Sequence, residues 1–429
     1  MKTISKETAD QDELLLILQK AFPDATKYEV ENKIVQANAE GFLLRLQADN
    51  LHSTTNLFVK KVDAHKYAQK KWDDLRRTLL YARTESRFYT NILPLLKEKS
   101  RDQNWNIAPN CHCAEAILHG LIEEHESTSA KTTTDNDPCY TAEDTKVLQG
   151  KGGFLILDSL QGDFYQTSPL NILEASRCLK AIARFHAIAF QDVDILKHVA
   201  ENLCEYGGSY HLANRNPNEL RDIEQTWDHF RNEISGVQPD LFDRESIRNL
   251  GKRIKLMADL ISNELSPAYH DNFATIVHGD LKSMNIFIPS DDNHERCPIL
   301  IDFASTGLGN GMSDVAMIIT HALHPNDLVN GGEDKLVDLY IDALHDELSD
   351  RNIYPRHIAK RHYKLASLDY FRFVLGRLWK GVTLDKIEKS KDSKNSVLVN
   401  RNVEAALYFI EKADKYLTEL ENEVLQRRS

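Results

Sequence analysis

The sequence predicts an α+β chain in two lobes, a small antiparallel-sheet lobe followed by a larger, mainly helical one. Three observations carry that prediction. Apolar runs with strand alternation fall early, between residues 28 and 62, with two more at 108–115 and 153–160. Helical repeats dominate afterwards, at 169–190, across 201–265, and at 365–379 and 403–424. Between these helical blocks a strand, loop, strand, turn, strand pattern runs over 275–314 and collects polar residues where the strands end. The boundary falls after residue 160, so the lobes are 1–160 and 161–429.

Bulk properties narrow the function. A chain of 429 residues, 41% hydrophobic and 28% charged, buries a large core and is not disordered as a whole. Its formal charge of −12 argues against a partner held by phosphate neutralisation, so no nucleic-acid partner is expected. The six cysteines are scattered and read as reduced thiols. The N-terminus is acidic and amphipathic, without the apolar core and cleavage site of a signal peptide, and no apolar run reaches membrane-spanning length. A cytoplasmic setting without a membrane partner is therefore expected, and the oligomeric state stays open.

Taken in order, residues 10–22 repeat apolar side chains at Leu14, Leu15, Leu18 and Phe22, a helix with Asp10 or Asp12 as cap. Ile34 and Val35 before Asn38-Ala39-Glu40-Gly41, with Phe42 to Leu46 after it, read as a hairpin with a glycine at its turn. Leu57 to Val62 alternates, which puts Phe58, Lys60 and Val62 on one face and Leu57, Val59 and Lys61 on the other. Residues 63–82 are rich in charge and read as a solvated helical face. Leu80, Phe88 and Ile92 then keep a helical stripe. Cys111-His112-Cys113 lies in a strand pattern and lacks a second ligand pair, so no zinc site is expected. Residues 127–145 have the composition of a surface loop, and 153–160 form a buried strand ending near Asp158. Trp227, Phe230, Asp369, Tyr370, Phe371, Phe373 and Trp379 would serve as an aromatic and acidic cage or, more simply, as packed helix faces. A lysine-rich loop is expected over 386–394.

The chemistry concentrates in HGDLKSMN, beginning at His278, followed by an acid after the next strand, Asp302. Asp280 and Asn285 share one loop, and Asp302 ends the strand paired with the one that follows it. A carboxylate beside a substrate hydroxyl, with an amide and a second carboxylate around a metal, is the equipment of phosphoryl transfer. Mg²⁺ takes oxygen ligands and keeps coordination positions for phosphate, so one Asn and one Asp suffice.

His278-Gly279-Asp280 with Asn285, then Asp302-Phe303, resembles the aminoglycoside phosphotransferase and choline kinase group, which has the protein-kinase-like fold. Within that group the chain looks most like the ecdysteroid kinase-like, or CHK kinase-like, branch. The resemblance implies an ATP-dependent kinase acting on a hydroxyl of a small molecule. It implies Asp280 as the base, Asn285 and Asp302 as Mg²⁺ ligands, and His278 as a brace for the loop. It implies Lys60 as the ATP lysine, although alternation alone does not separate it from Lys61. Glu85, in an E-x-x-F-Y pattern, is implied as the partner of that lysine, and Gly41 as part of the loop covering the ATP phosphates. A hinge near Asp158 to Leu160 would take the adenine edge. His186 lies in a helix like the group's LARFHA helix and reads as a core or supporting histidine, and Asp314 as a helix cap that also braces the loop. Lys282 departs from the branch, which more often has an aromatic there; in protein kinases a lysine at this place neutralises the transferring phosphoryl group.

Two other readings remain. A protein kinase would show Ala-Pro-Glu after Asp302 and a Gly-x-Gly-x-x-Gly loop, and neither is present. A nucleotide-binding pseudokinase would not need Asp280, Asn285 and Asp302 together.

Overall fold

A computed structural model of the chain describes residues 6–35, 38–48, 55–100, 105–123, 144–291 and 296–428. Apart from Asp144 and Thr145, which begin a short 3-10 turn, the loop expected over 127–145 lies outside the described residues.

The first part is an antiparallel sheet of β1 (Ala25–Val35), β2 (Glu40–Ala48), β3 (Thr55–Asp63), β4 (Cys111–Ile117) and β5 (Gly152–Asp158), in the order β1-β2-β3-β5-β4. Alternation decides what each face covers. Leu57 and Val59 turn to one side with Leu44, Leu46 and Ile156, where Leu14 and Leu18 of helix α1 (Lys6–Ala21) close a small core. Helix α1 starts at Lys6, so Asp10 and Asp12 lie within it rather than capping it, since the preceding Lys-Glu-Thr-Ala stretch also accepts helix. The other face of the sheet meets helix α2 (Trp72–Arg87) and the helical part of the chain.

Helix α2 corrects an expectation. It is no solvated face: Leu75, Leu79 and Leu80 are fully buried, with Arg76 and Thr78 beside them. The charged residues mask an amphipathic helix wedged between strands β4 and β5 and the turn that follows Asp302. A π-helical turn, Phe88–Ile92, links it to α3 (Leu93–Lys99).

Helices make up most of the rest, including α4 (Ile172–Ala187), which opens on an Asn171–Glu174 capping box. Five short strands carry the central loops: β6 (Phe164–Tyr165), β7 (Thr275–Val277), β8 (Ile286–Pro289), β9 (Ile299–Leu300) and β10 (Gly307–Gly309). Strand β7 pairs with β10, and β8 pairs with β6 and β9. Trp227, Phe230, Phe371 and Trp379 form no cage; they pack in the core, with Phe230 stacked on Trp379 at 4.0 Å. Asp369 is buried and paired with Arg372 at 2.8 Å. The expected lysine-rich loop is partly helical, as Thr383 accepts from the Lys386 amide to start a helix at Leu384–Lys389. No helix among the described residues is long and apolar enough to cross a membrane.

Candidate active site

Strand β7 ends at Val277, and the chain turns sharply through His278, Gly279 and Asp280. The turn requires glycine: Gly279 has φ +80°, and a Cβ there would lie 2.3 Å from the Ser305 carbonyl oxygen and 2.5 Å from the Gly208 nitrogen. Beneath it, the fully buried Asp314 carboxylate accepts from the His278 N–H at 2.7 Å and the Gly279 N–H at 2.9 Å. His186 Nε2 lies 3.1 Å from Asp314, and its Nδ1 lies 2.7 Å from the Tyr340 hydroxyl. Burial pushes the Asp314 carboxyl up, but the His186 hydrogen bond and charge outweigh it and hold the group below its usual range. Asp314 braces the loop without capping its helix, because its oxygens are committed to residues 278 and 279. His278 adds a second brace: the Asp280 N–H donates to its Nδ1 at 3.3 Å, and its Nε2 lies 2.9 Å from the Ile301 carbonyl oxygen.

On this support Asp280 meets three side chains. The Ser209 hydroxyl donates to Oδ1 at 3.3 Å, and Oδ2 faces Lys282 Nζ at 3.2 Å and Asn285 Nδ2 at 3.3 Å. The Asp280 carboxylate raises the Lys282 ammonium above its usual value, against the effect of burial. Asn285 also donates to the Asp280 carbonyl oxygen at 2.8 Å, which commits its nitrogen and leaves its amide oxygen to accept a hydrogen bond or to coordinate a metal ion.

Asp302 follows β9 in a left-handed conformation, φ 66° and ψ 59°, uncommon for a residue with a side chain. Its Oδ1 receives the Lys60 ammonium at 2.8 Å, and the same ammonium donates to Glu85 Oε2 at 2.7 Å. One lysine from the sheet thus joins a carboxylate of α2 to one from the loop after β9. Burial pulls Lys60 down, but Asp302 and Glu85 hold it charged and above its usual value. Burial likewise pushes Asp302 up, and the Lys60 and Lys282 charges bring it below the usual carboxylate range. Glu85, deeper and close to Asp302, is raised by its burial. Behind the cluster Phe303 stacks on Phe88 at 3.8 Å.

Strand alternation separates the two lysines. Lys61 points to the opposite face, where it pairs with Glu13 of α1 at 2.5 Å. Gly41 is not at the hairpin turn: it lies in β2, opposite Ile34 and Lys60, and a Cβ there would come within 2.9 Å of the Phe58 ring. Asp158 ends β5 with its carboxylate bound to Asn110 at 2.9 Å and His112 at 2.7 Å. The Asp158 and Ser159 amides are taken by the Asn110 and Asn56 carbonyls, whereas the half-buried Leu160 has no such partner among the described residues.

Asp280 and Lys282 open onto a cleft of about 260 Å³. Ser209, His321, Tyr370, Phe373 and Val397 also line it. Of the aromatic residues weighed in the sequence, only Tyr370 and Phe373 reach this cleft. His321 and the segment around Val397 carry no signal in the sequence, as the first sits in a mostly apolar helix and the second arrives from a distant stretch.

No cluster of three or more His, Cys, Asp or Glu among the described residues has the arrangement of a metal site. A two-ligand magnesium site fits the donors present: Asn285 and Asp302 lie at the same end of the β8–β9 pair, joined where the Ile301 N–H donates to the Asn285 carbonyl at 2.9 Å. Both offer hard oxygens.

The ecdysteroid kinase-like family model matches residues 33–353. The chain belongs to the ecdysteroid kinase-like family. Both halves of the cluster, from Lys60 to Asp302, lie inside the matched span. No curated protein matches the sequence. Among solved structures, the chain is similar to the GDP complex of wild-type aminoglycoside 2'-phosphotransferase-IIIa at 10% identity, over 95% of this chain and 99% of that one, with a TM-score of 0.40. It is also similar to an aminoglycoside phosphotransferase from Streptomyces rimosus in complex with ADP and streptomycin, at 15% identity over 85% and 98% of the two chains, with a TM-score of 0.30.

Proposed function

We propose that this chain is an ATP-dependent kinase that phosphorylates a hydroxyl group of a small molecule, with residues 1–160 as the nucleotide lobe and 161–429 as the catalytic and acceptor lobe. One observation carries the reading: the Lys60 ammonium is held between Glu85 and Asp302, from two different parts of the chain, beside the loop of Asp280, Lys282 and Asn285. Membership of the ecdysteroid kinase-like family supports the coarser statement, a small-molecule phosphotransferase.

In this reading the backbone near Leu160 takes the adenine edge, and β2 around Gly41 covers the phosphates. Lys60 binds the nucleotide phosphates and Glu85 keeps it aimed. Asn285 and Asp302 would hold Mg²⁺, which when bound supplies neutralisation of the phosphate charge. Asp280 takes the proton of the acceptor hydroxyl as its oxygen bonds to the γ-phosphorus and the bond to the ADP oxygen breaks. Ser209 keeps the receiving carboxylate turned toward the cleft, and Lys282 neutralises the phosphoryl group in transit. The cleft holds one carboxylate, Asp280, already faced by Lys282, an arrangement suited to a hydroxyl rather than to a polycation.

ATP consumption with magnesium and a panel of hydroxylated metabolites tests this. Turnover is expected for at least one acceptor, and Asp280→Asn should lower kcat by roughly 10² to 10⁴ with little change in the KM for ATP. Unchanged turnover in Asp280→Asn would show that the base is misassigned.

A further inference from the structure

The helix Met312–Ala322 begins beneath the central loop with Asp314 and, one and two turns on, presents Met317 and His321 to the cleft that Asp280 faces. His321 is 4% exposed, and its ring Nδ1 is fully buried without a hydrogen-bond partner. Its Nε2, by contrast, keeps accessible surface and has no hydrogen-bond partner among the described residues, and the ring lines the cleft. A polar atom so nearly enclosed normally finds a partner, and for Nε2 the cleft is where that partner belongs. Across the same cleft, from a segment about eighty residues on, Asn400 is spoken for: its Nδ2 donates to the Leu378 carbonyl at 3.3 Å and its Oδ1 is buried away from the cleft. The walls beside His321 also include the Tyr370 and Phe373 rings and Val397.

We propose that His321 is the specificity contact for the acceptor, hydrogen-bonding through Nε2 a second hydroxyl or carbonyl on the molecule whose first hydroxyl faces Asp280. This rests on the phosphotransfer reading of the site. Burial, with Lys282 and Arg401 nearby, lowers His321 to about 3, so the ring stays neutral and can both donate and accept. A neutral imidazole this enclosed discriminates, because an acceptor lacking the second polar group leaves the ring desolvated and still unpaired. His321 therefore acts on which molecule is held, while Asp280 acts on the bond that forms.

The test uses the full chain, ATP and magnesium, with monocyclic and bicyclic diols and hydroxyketones as probes, each paired with the mono-ol that lacks the second group. The parent should favour the difunctional member of the best pair by tenfold to a hundredfold or so in kcat/KM. His321→Phe should erase that preference through KM, and His321→Gln, which restores a donor and an acceptor, should recover part of it. The thermal unfolding midpoint of each variant checks that it is folded. A folded His321→Phe that keeps the parent's preference overturns the proposal, as does a parent that turns over mono-ols and difunctional probes equally or neither at all. Failure of the underlying reading has another signature: Asp280→Asn would then turn over the best probe as fast as the parent.

Discussion

The two ends of the site differ in how they treat polar atoms. In the cluster around the central loop the named charges are partnered: Lys60 serves both Glu85 and Asp302, Asp280 faces Lys282, and Asp314 is saturated by two amides and His186. Farther along the cleft His321 has no hydrogen-bond partner among the described residues. On the proposed reading, the part that would work on one constant cosubstrate is built complete, whereas the part that would choose among molecules leaves the choice to an atom only the right one satisfies. Three measurements would sharpen or break this contrast.

The largest effect is expected for Lys60→Met. It leaves the Glu85 and Asp302 carboxylates close together without their shared cation, and removing one partner of a buried ion pair costs about 3 to 5 kcal/mol. Urea unfolding should show a clearly lowered midpoint. A midpoint like the parent's would mean that the cluster is not preorganised.

Next comes acid. Burial lowers His211 to about 4, His321 to about 3 and His362 to about 4, all three in the helical part of the chain. Below their ordinary value of 6.5 the unfolded chain takes up protons that the folded chain refuses, so stability is present above pH 6.5 and falls as the pH drops toward 4. The loss should be about 2 kcal/mol per histidine by pH 5. Denaturation midpoints between pH 7 and 5 that do not fall would show that these rings are not held neutral.

The smallest effect is expected for Lys61→Met, next in sequence to Lys60. Its partner Glu13 is half-exposed, and such pairs are worth about 0 to 1 kcal/mol. A loss equal to that of Lys60→Met would erase the distinction between the two faces of β3.

That pair of lysines also marks how far the sequence can be read. Alternation along 57–62 puts Lys60 and Lys61 on opposite faces, but which face meets α2 is a tertiary fact, settled by α1 covering Leu57 and Val59. The sheet, the helical second part and the strand-bounded loop from His278 to Asp302 were legible because periodicity and turn chemistry are local. Gly41 was not: a glycine after three small or polar residues reads as a turn, and only the register with Lys60 and Ile34 moves it into β2. Charge masked α2, whose buried leucines are spaced among arginines and aspartates. His321 was invisible because its meaning depends on residues near Asn400 that fold against it from far along the chain.

The stack of Phe88 on Phe303 has a mechanical consequence. Helix α2 lies between β3 and β4 in sequence, yet this ring pair fastens its end to the loop that carries Asp302, while Glu85 near the same end is tied through Lys60 to the sheet. Any swing of the sheet away from the helical body must therefore part Lys60 from Asp302 and, with that pair, either the rings or the Lys60–Glu85 pair. The helix is a latch with two catches, and on the proposed reading exchange of a bound nucleotide by such a swing has to release one of them as well.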